Sequence, residues 1–255
     1  MSQPLSVVLP AYNEQENVGV LVARALEVLP SIVEDFEIIV VDDGSEDDTA
    51  AVVGAMLVRH SPRLRLVRHS DNQGYGAAIR TGFRFARGDL LFYTDSDNQF
   101  DISELRGFLP LIDSCDVAVG FRLSRCDTMR RSIASWVYNR LANVLFRVRV
   151  RDVNCAFKLF RREVIEQIDL ESTDFFIDTE MLARARRRRF RIVQKGVNHY
   201  PRMAGETTVR PSDVSRTLLT IARLWRHIHF PRREPRPRET RLDDSAVEVE
   251  LQPAP

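Results

Sequence analysis

Short apolar runs alternate with helical stripes along the first half of the chain. Residues 5–9 form an apolar run closed by Pro10, and residues 36–41 form a second, closed by the acidic turn Asp42-Asp43-Gly44-Ser45. Runs of this length with no polar alternation fit strands buried on both faces. Between them, Val18, Leu21, Val22, Ala25, Leu26 and Leu29 recur at the spacing of one helical face, which predicts a helix over 16–29. The alternation continues with a helix over 47–60, a strand over 64–67, a helix over 75–86 and a strand over 89–94. Helical crossovers leave successive strands parallel, so the pattern predicts an α/β fold with a mostly parallel sheet flanked by helices.

The second half is less regular and reads as an elaboration. A helix to about residue 112 and a strand over 116–119 extend the alternation. Helical patterns over 132–146 and 178–188 then flank a strand over 156–160, and 192–197 predicts a late strand. Beyond Phe230 the chain turns to proline, arginine and acidic residues with almost no large apolar side chain. Such a segment buries too little to fold, which predicts a disordered tail over 231–255.

Composition removes several classes. With 255 residues, 44% hydrophobic and 29% charged, the chain has enough apolar material for a sizeable core. Cys115, Cys126 and Cys155 are too few and scattered for a disulfide scaffold or a cysteine metal site, which makes a reducing cytosol the expected setting. The first residues lack the pattern of a secretory signal and no apolar run reaches spanning length, so neither a signal nor a membrane span is expected. Lys plus Arg number 37 against 36 Asp plus Glu, and bulk charge therefore offers no general grip on nucleic acid.

In an open parallel sheet, ligands bind at the carboxyl ends of the strands, so the residues following each apolar run carry the information. They are Pro10-Ala11-Tyr12-Asn13-Glu14, Asp42-Asp43-Gly44-Ser45, Asp71-Asn72-Gln73-Gly74-Tyr75-Gly76 and Asp95-Ser96-Asp97-Asn98-Gln99, all expected on one rim. In the last, alternate residues of an extended segment deliver the carboxylates of Asp95 and Asp97 and the amide oxygen of Gln99 to one point. Oxygen ligands so spaced suit Mg²⁺ or Mn²⁺, whose other positions take water and phosphate oxygens. A bare D-x-D also caps helices, and it is the company of the other strand ends that favours the metal. Gly44 and Ser45 suit a turn and a helix cap, which leaves Asp43 to accept from a nucleobase or ribose. Gly74-x-Gly76 would allow a ligand to approach the backbone closely. It follows the third strand, and Ile79 stands where a dinucleotide fingerprint needs its third glycine, both of which speak against an NAD site.

Together these segments resemble the family-two glycosyltransferases of GT-A fold, in particular the dolichyl- or polyprenyl-phosphate sugar (mannose) synthases. The resemblance covers roughly residues 5–211 and rests on Pro10 to Glu14, Val41 to Ser45, Asn72-x-Gly74-x-Gly76-x-Ala78, Asp95-x-Asp97-x-Gln99, Gly120-x-Arg122 and Arg202 to Thr208. It implies a GT-A domain over 1–230, with a nucleotide-binding half of about 1–120 and an acceptor half of about 121–230. It further implies that Pro10, Tyr12, Glu14, Val41, Asp43, Asp95 and Ser96 hold the nucleotide. Asp95, Asp97 and Gln99 would hold Mg²⁺ or Mn²⁺, and Arg122 and Arg202 the phosphates. Two departures leave the donor open between GDP- and UDP-hexoses. Thr207-Thr208 replaces a common Ser-Lys, with Arg210 nearby as a substitute cation, and Cys155 stands where glycine is frequent.

The expected reaction is an inverting hexosyl transfer to a polyprenyl phosphate at the cytosolic membrane face. A phosphomonoester with a second pKa near 6 is largely dianionic at neutral pH and attacks without a protein base. Asp97 with its metal would then stabilise the leaving diphosphate, while Arg122, Arg131 and Arg202 align the attacking phosphate. A hydroxyl acceptor would instead need a base, for which Asp178 or Glu180 is the candidate; otherwise the pair serves as first-turn helix acids. Peripheral membrane contact would fall to the stripe Val214, Leu218, Ile221, Trp225 and Ile228, or to the arginine-rich stretch 184–189, although both patterns also suit a helix packed on the domain with solvated cations. A non-catalytic nucleotide-sugar binding protein serving a membrane-protein partner is the rival from another class. A sugar-phosphate nucleotidyltransferase would need a glycine-rich basic loop after the first strand, which residues 10–15 do not supply.

Overall fold

The computed structural model describes residues 3–123, 129–202, 225 and 246–249, without the side chains of 129–134. Its strands are β1 (Leu5–Ala11), β2 (Phe36–Asp42), β3 (Leu64–His69), β4 (Leu90–Thr94), β5 (Val117–Arg122), β6 (Phe157–Arg161), β7 (Ile192–Val197) and β8 (Ala246–Glu248). The α-helices are α1 (Val18–Val28), α2 (Thr49–His60), α3 (Tyr75–Phe85), α4 (Met129–Phe146), α5 (Arg162–Gln167) and α6 (Ile177–Arg187). All eight strands join one sheet in the order β7-β5-β6-β4-β1-β2-β3-β8. The first four strands pair in parallel, with Val7 of β1 opposite Ile38 of β2 and Phe92 of β4. Every residue of β1 and β4 is buried, as the unbroken apolar runs require.

Three elements differ from the sequence pattern. The helix expected after Asp101 is two short 3₁₀ segments, Ile102–Gly107 and Leu109–Asp113. Pro110 has no N–H to continue a regular helix and sits at the start of the second segment, where that lack costs nothing. Strand β6 runs antiparallel between β4 and β5, which makes the sheet mixed at that side. Within the tail expected to be disordered, β8 pairs antiparallel with β3, Val67 opposite Glu248. Composition missed it because three residues become a strand only on a partner edge. The fork of Arg65 supplies the grip, donating from Nε (2.6 Å) and Nη2 (3.0 Å) to the Glu248 carboxylate while Nη1 reaches Glu37 at 2.6 Å. Among the described residues no helix is long and apolar enough to cross a membrane.

Candidate active site

The carboxyl ends of β1, β2 and β4 are tied edge to edge. The Asp43 N–H donates to the Ala11 carbonyl at 2.8 Å, and the Ser96 hydroxyl donates to the Pro10 carbonyl at 2.8 Å. Ser96 is therefore turned inward; β4 ends at Thr94, so residues 96–98 form a bend with Asn98 at φ 59°, not the extended segment that the alternating Asp95-x-Asp97-x-Gln99 pattern assumed. Asn13, at φ 54°, holds the β1 loop against the β2 loop, its N–H on Ser45 Oγ and its Oδ1 accepting from the Glu46 N–H, both at 2.9 Å. Asn98 of the β4 loop donates to the Asn17 carbonyl at 3.0 Å. Tyr12 is half-buried on this rim, whereas the Val41 side chain lies wholly in the core and offers a ligand only its main chain.

Asp43 is the hinge of the β3 loop. One oxygen meets His69 Nδ1 at 2.6 Å and accepts from the Gln73 N–H at 3.0 Å, and the other accepts from the Gly74 N–H at 2.8 Å. The glycine pair has a different reason from the one its pattern implied. Gly74 has φ 101°, and a Cβ there would lie 2.4 Å from the Thr173 carbonyl oxygen; one on Gly76 would lie 2.5 Å from that of Ser172 and 2.8 Å from that of Asp174. The close approach is made by the chain's own segment 172–174, clasped by the Gly76 N–H on the Thr173 carbonyl (2.8 Å) and by Phe175 stacked on Tyr75. Gly76→Ala is therefore expected to destabilise the fold by roughly 1–3 kcal/mol, a fall of about 2–12 °C in Tm. An unchanged melting curve would show that the 172–174 segment gives way freely.

That clasp places Tyr75 at the acids, its hydroxyl donating to Asp95 Oδ1 at 2.8 Å. Desolvation, then the negative charge of Asp97, pushes the Asp95 carboxyl up to about 8 against the Tyr75 bond. Desolvation also raises Asp97, opposed by the Gln99 N–H and by the charges of Arg202 and His199. Burial likewise raises Glu14, whose carboxylate accepts from Asn17 Nδ2 and Arg202 Nη2, each at 2.6 Å. The other Arg202 nitrogen, Nη1, stands 3.9 Å from Asp97 Oδ2, so this cation spans the β1 and β4 loops. Gln99 Nε2 donates to the Tyr200 carbonyl at 3.0 Å, which fixes the segment after β7 on the rim and leaves the amide oxygen at the opposite corner of the group. His199 was missed from sequence, although extending the strand-end rule to β7 points to Asn198-His199-Tyr200.

A carboxyl raised by folding costs stability progressively from its ordinary value near 4 up to its folded value near 8. In chelator, Asp95→Asn is thus expected to melt with wild type near pH 4 and above it by pH 8, by roughly 5 °C or more, with no further gain beyond. A margin that did not vary with pH would contradict the raised Asp95 carboxyl that burial and the neighbouring Asp97 impose.

The two acids considered as bases are both internal. Asp178 is 4% exposed, pairs with the fully buried Lys158 ammonium and accepts from the Tyr93 hydroxyl. Lys158 also donates to that hydroxyl (2.8 Å) and to the Cys155 carbonyl (2.7 Å). Glu180 accepts the Glu171 and Ser172 N–H groups and Arg184 Nε, at 2.7–3.1 Å. Both are therefore internal and not on the open rim, unlike the exposed bases a hydroxyl acceptor would need. Arg122 does follow β5, but its fork is engaged by Asp152, Nε at 2.7 Å and Nη2 at 3.0 Å. Arg131 lies in the first turn of α4 with its side chain outside the description. The stripe 214–228 apart from Trp225, Arg210 and the 203–208 motif also lie outside the described residues.

Asp95 and Asp97 at the β4 end thus share one rim with the loops that follow β1, β2 and β3. Residues 6–169 match the family Glycosyl transferase family 2. The chain belongs to this family. It is 36% identical to glycosyltransferase AglD of Haloferax volcanii over 87% of the chain, spanning 37% of that protein's length. It is 32% identical to dodecaprenyl-phosphate galacturonate synthase of Rhizobium johnstonii, covering 92% of the chain and 70% of the relative. Polyprenol monophosphomannose synthase of Mycolicibacterium smegmatis is 28% identical, with 87% and 86% covered. The fold matches the GT-A glucosyl-3-phosphoglycerate synthase of Mycobacterium tuberculosis in complex with UDP, at TM-score 0.64, 19% identity, and 89% and 80% coverage. This family 2 member is therefore a glycosyltransferase of GT-A fold.

Proposed function

We propose that this glycosyltransferase moves a hexose from a GDP- or UDP-sugar to a polyprenyl phosphate, with inversion, at the cytosolic face of a membrane. The observation that carries the reading is that Asp178 and Glu180 are both buried, Asp178 Oδ1 engaged by Lys158 and Tyr93 and the Glu180 carboxylate by Arg184 and the 171–172 main chain. An acceptor that brings its own negative charge needs no base, and a phosphomonoester does so at neutral pH. The names of the galacturonate and mannose synthase relatives support the same acceptor class.

In this reading Asp43, with the main chain at Pro10 and Val41 and the Tyr12 ring, receives the nucleoside. Asp95 and Asp97, and Gln99 through its amide oxygen, would hold Mg²⁺ or Mn²⁺. Their fit is supported by the burial, and after it the negative charge of Asp97, that push the Asp95 carboxyl up to about 8, the behaviour of a site short of positive charge. When bound, the ion supplies neutralisation of the charge that grows on the departing diphosphate. Arg202 orients phosphate from between Glu14 and Asp97, and Arg131 and Arg122 meet the acceptor, Arg122 by sharing its fork with Asp152.

The test is to incubate purified protein with Mn²⁺, each of several labelled GDP- and UDP-hexoses, and a polyprenyl phosphate. The expected product is one label-bearing, organic-extractable, mild-acid-labile lipid. Transfer only to a hydroxyl acceptor, or to no lipid phosphate with any donor, overturns the reading.

A further inference from the structure

Helix α4 packs Ala142, Leu145 and Phe146 inward and keeps a second apolar stripe on its outward face. Its inward face carries polar groups, all satisfied: the Tyr138 hydroxyl meets Thr179 Oγ1 at 2.6 Å, Asn139 Oδ1 accepts from the Val153 N–H at 2.7 Å, and Asn143 makes both bonds of a pair with the Val150 main chain (2.8 and 3.0 Å). Its outward face carries Trp136 (67% exposed), Val137, Leu141 and Val144 (59%). Positions 136, 137, 141 and 144 fall on one side of a helix, so these exposures form a single stripe. A folded chain seldom leaves a tryptophan and three aliphatics together in water without a partner.

Charge specifies that partner. No acid occurs between Asp127 and Asp152, or between Glu180 and Glu206, whereas Arg140, Arg147, Arg149, Arg151, Arg187, Arg188, Arg189 and Arg191 are all exposed in these stretches. The two stretches are one surface. Arg186 Nε donates to the Val148 carbonyl at 3.0 Å, the Arg151 N–H donates to Gln194 Oε1 at 2.6 Å, and Gln194 Nε2 donates to the Arg149 carbonyl at 3.2 Å. An apolar stripe with a tryptophan, bordered by arginines from two stretches of sequence that contain no acid, has the chemistry of a face that lies in the headgroup region of an anionic bilayer. Nucleic acid would use the arginines and leave the aliphatics unexplained.

We infer that the outward face of α4, with the arginines of the 147–151 loop and the end of α6, docks this enzyme on an anionic lipid surface. The inference rests on the lipid acceptor proposed above, since Arg131 heads the same helix, and it names a face different from the 214–228 stripe. Docking would bring a membrane-borne phosphate to the start of α4 while its chain stays in lipid.

The test uses the full chain carrying Trp225→Phe, so that Trp136 is the sole tryptophan, with vesicles of phosphatidylcholine alone or mixed equally with phosphatidylglycerol. Trp136 emission is expected to shift to the blue only on the anionic vesicles. Co-sedimentation should fall at least about tenfold in Trp136→Glu, and about twentyfold or more in Arg187→Ala/Arg188→Ala, from roughly fivefold per arginine. Both variants should keep wild-type transfer to geranyl phosphate in solution and lose transfer to vesicle-borne polyprenyl phosphate. Equal vesicle binding by wild type and variants, equal binding to neutral vesicles, displacement by an oligonucleotide, or a Trp136 spectrum already buried without lipid would each overturn the inference. Failure of wild type to use any lipid phosphate while vesicle binding follows this pattern would instead overturn the acceptor assignment and leave the docking face standing.

Discussion

Asp97→Ala is expected to lower glycosyl transfer by on the order of 10³-fold, and chelator should do the same to the wild type, reversibly on addition of Mn²⁺ or Mg²⁺. The size follows from what the rim lacks. Asp95 and Asp97 are drawn together in a desolvated corner where Arg202, at 3.9 Å and already engaged by Glu14, is too distant to neutralise them. A divalent ion held by the two acids would remove that repulsion, and its binding would need both of them. The loss should also appear without turnover: calorimetric Mn²⁺ binding in the presence of nucleoside diphosphate should vanish in Asp97→Ala, while its melting temperature in chelator stays at or above that of wild type. Full activity in either the variant or the chelated enzyme would remove the metal from the reaction. A lower melting temperature in chelator would show that Asp97 supports the fold more than it opposes it.

Most of this corner could be read before any coordinates, because it obeys a local rule. A buried parallel strand must end where its apolar run ends, so the residues that follow it are delivered to one rim whatever their identity. Asp43, Asp95, Asp97 and Glu14 all follow such runs and all lie there. What escaped depends on partners distant in sequence. Gly74 and Gly76 looked like room for a ligand, and the occupant is a loop almost one hundred residues later. Asp178 and Glu180 were candidate bases or first-turn helix acids, and both are held inside by partners outside the helical pattern, Lys158 on β6 and the 171–172 main chain. Helix α4 showed its period, but its faces could not be assigned, because apolar residues lie on both, Ala142 and Phe146 inward and Trp136, Val137, Leu141 and Val144 outward. The tail strand β8 is three residues long and has no signal apart from the Arg65 that receives it.

Lys158→Met should be the most destabilising single substitution among those considered, costing about 3–5 kcal/mol, or roughly 6–20 °C in Tm. The ammonium is wholly buried and gives its hydrogens to Asp178, the Tyr93 hydroxyl and the Cys155 carbonyl. Its loss leaves a carboxylate with the Tyr93 hydroxyl as its remaining named donor, in a medium that penalises lone charge far more than water does. Removing both charges together, as Lys158→Met/Asp178→Leu, should recover much of the stability, since desolvating the pair offsets most of its attraction. Activity should not follow stability. Tyr93 is two residues from Asp95, and the charges of Lys158 and Asp178 both act on the Asp95 carboxyl. The double variant should therefore approach wild type in Tm while its Mn²⁺ requirement for half-maximal turnover moves away from the wild-type value, since Asp178 raises and Lys158 lowers the Asp95 carboxyl. If Tm and the Mn²⁺ requirement both return to wild-type values, the buried pair serves the fold alone; if the double variant is no more stable than Lys158→Met, the surrounding hydrogen bonds and not the two charges hold this part of the core.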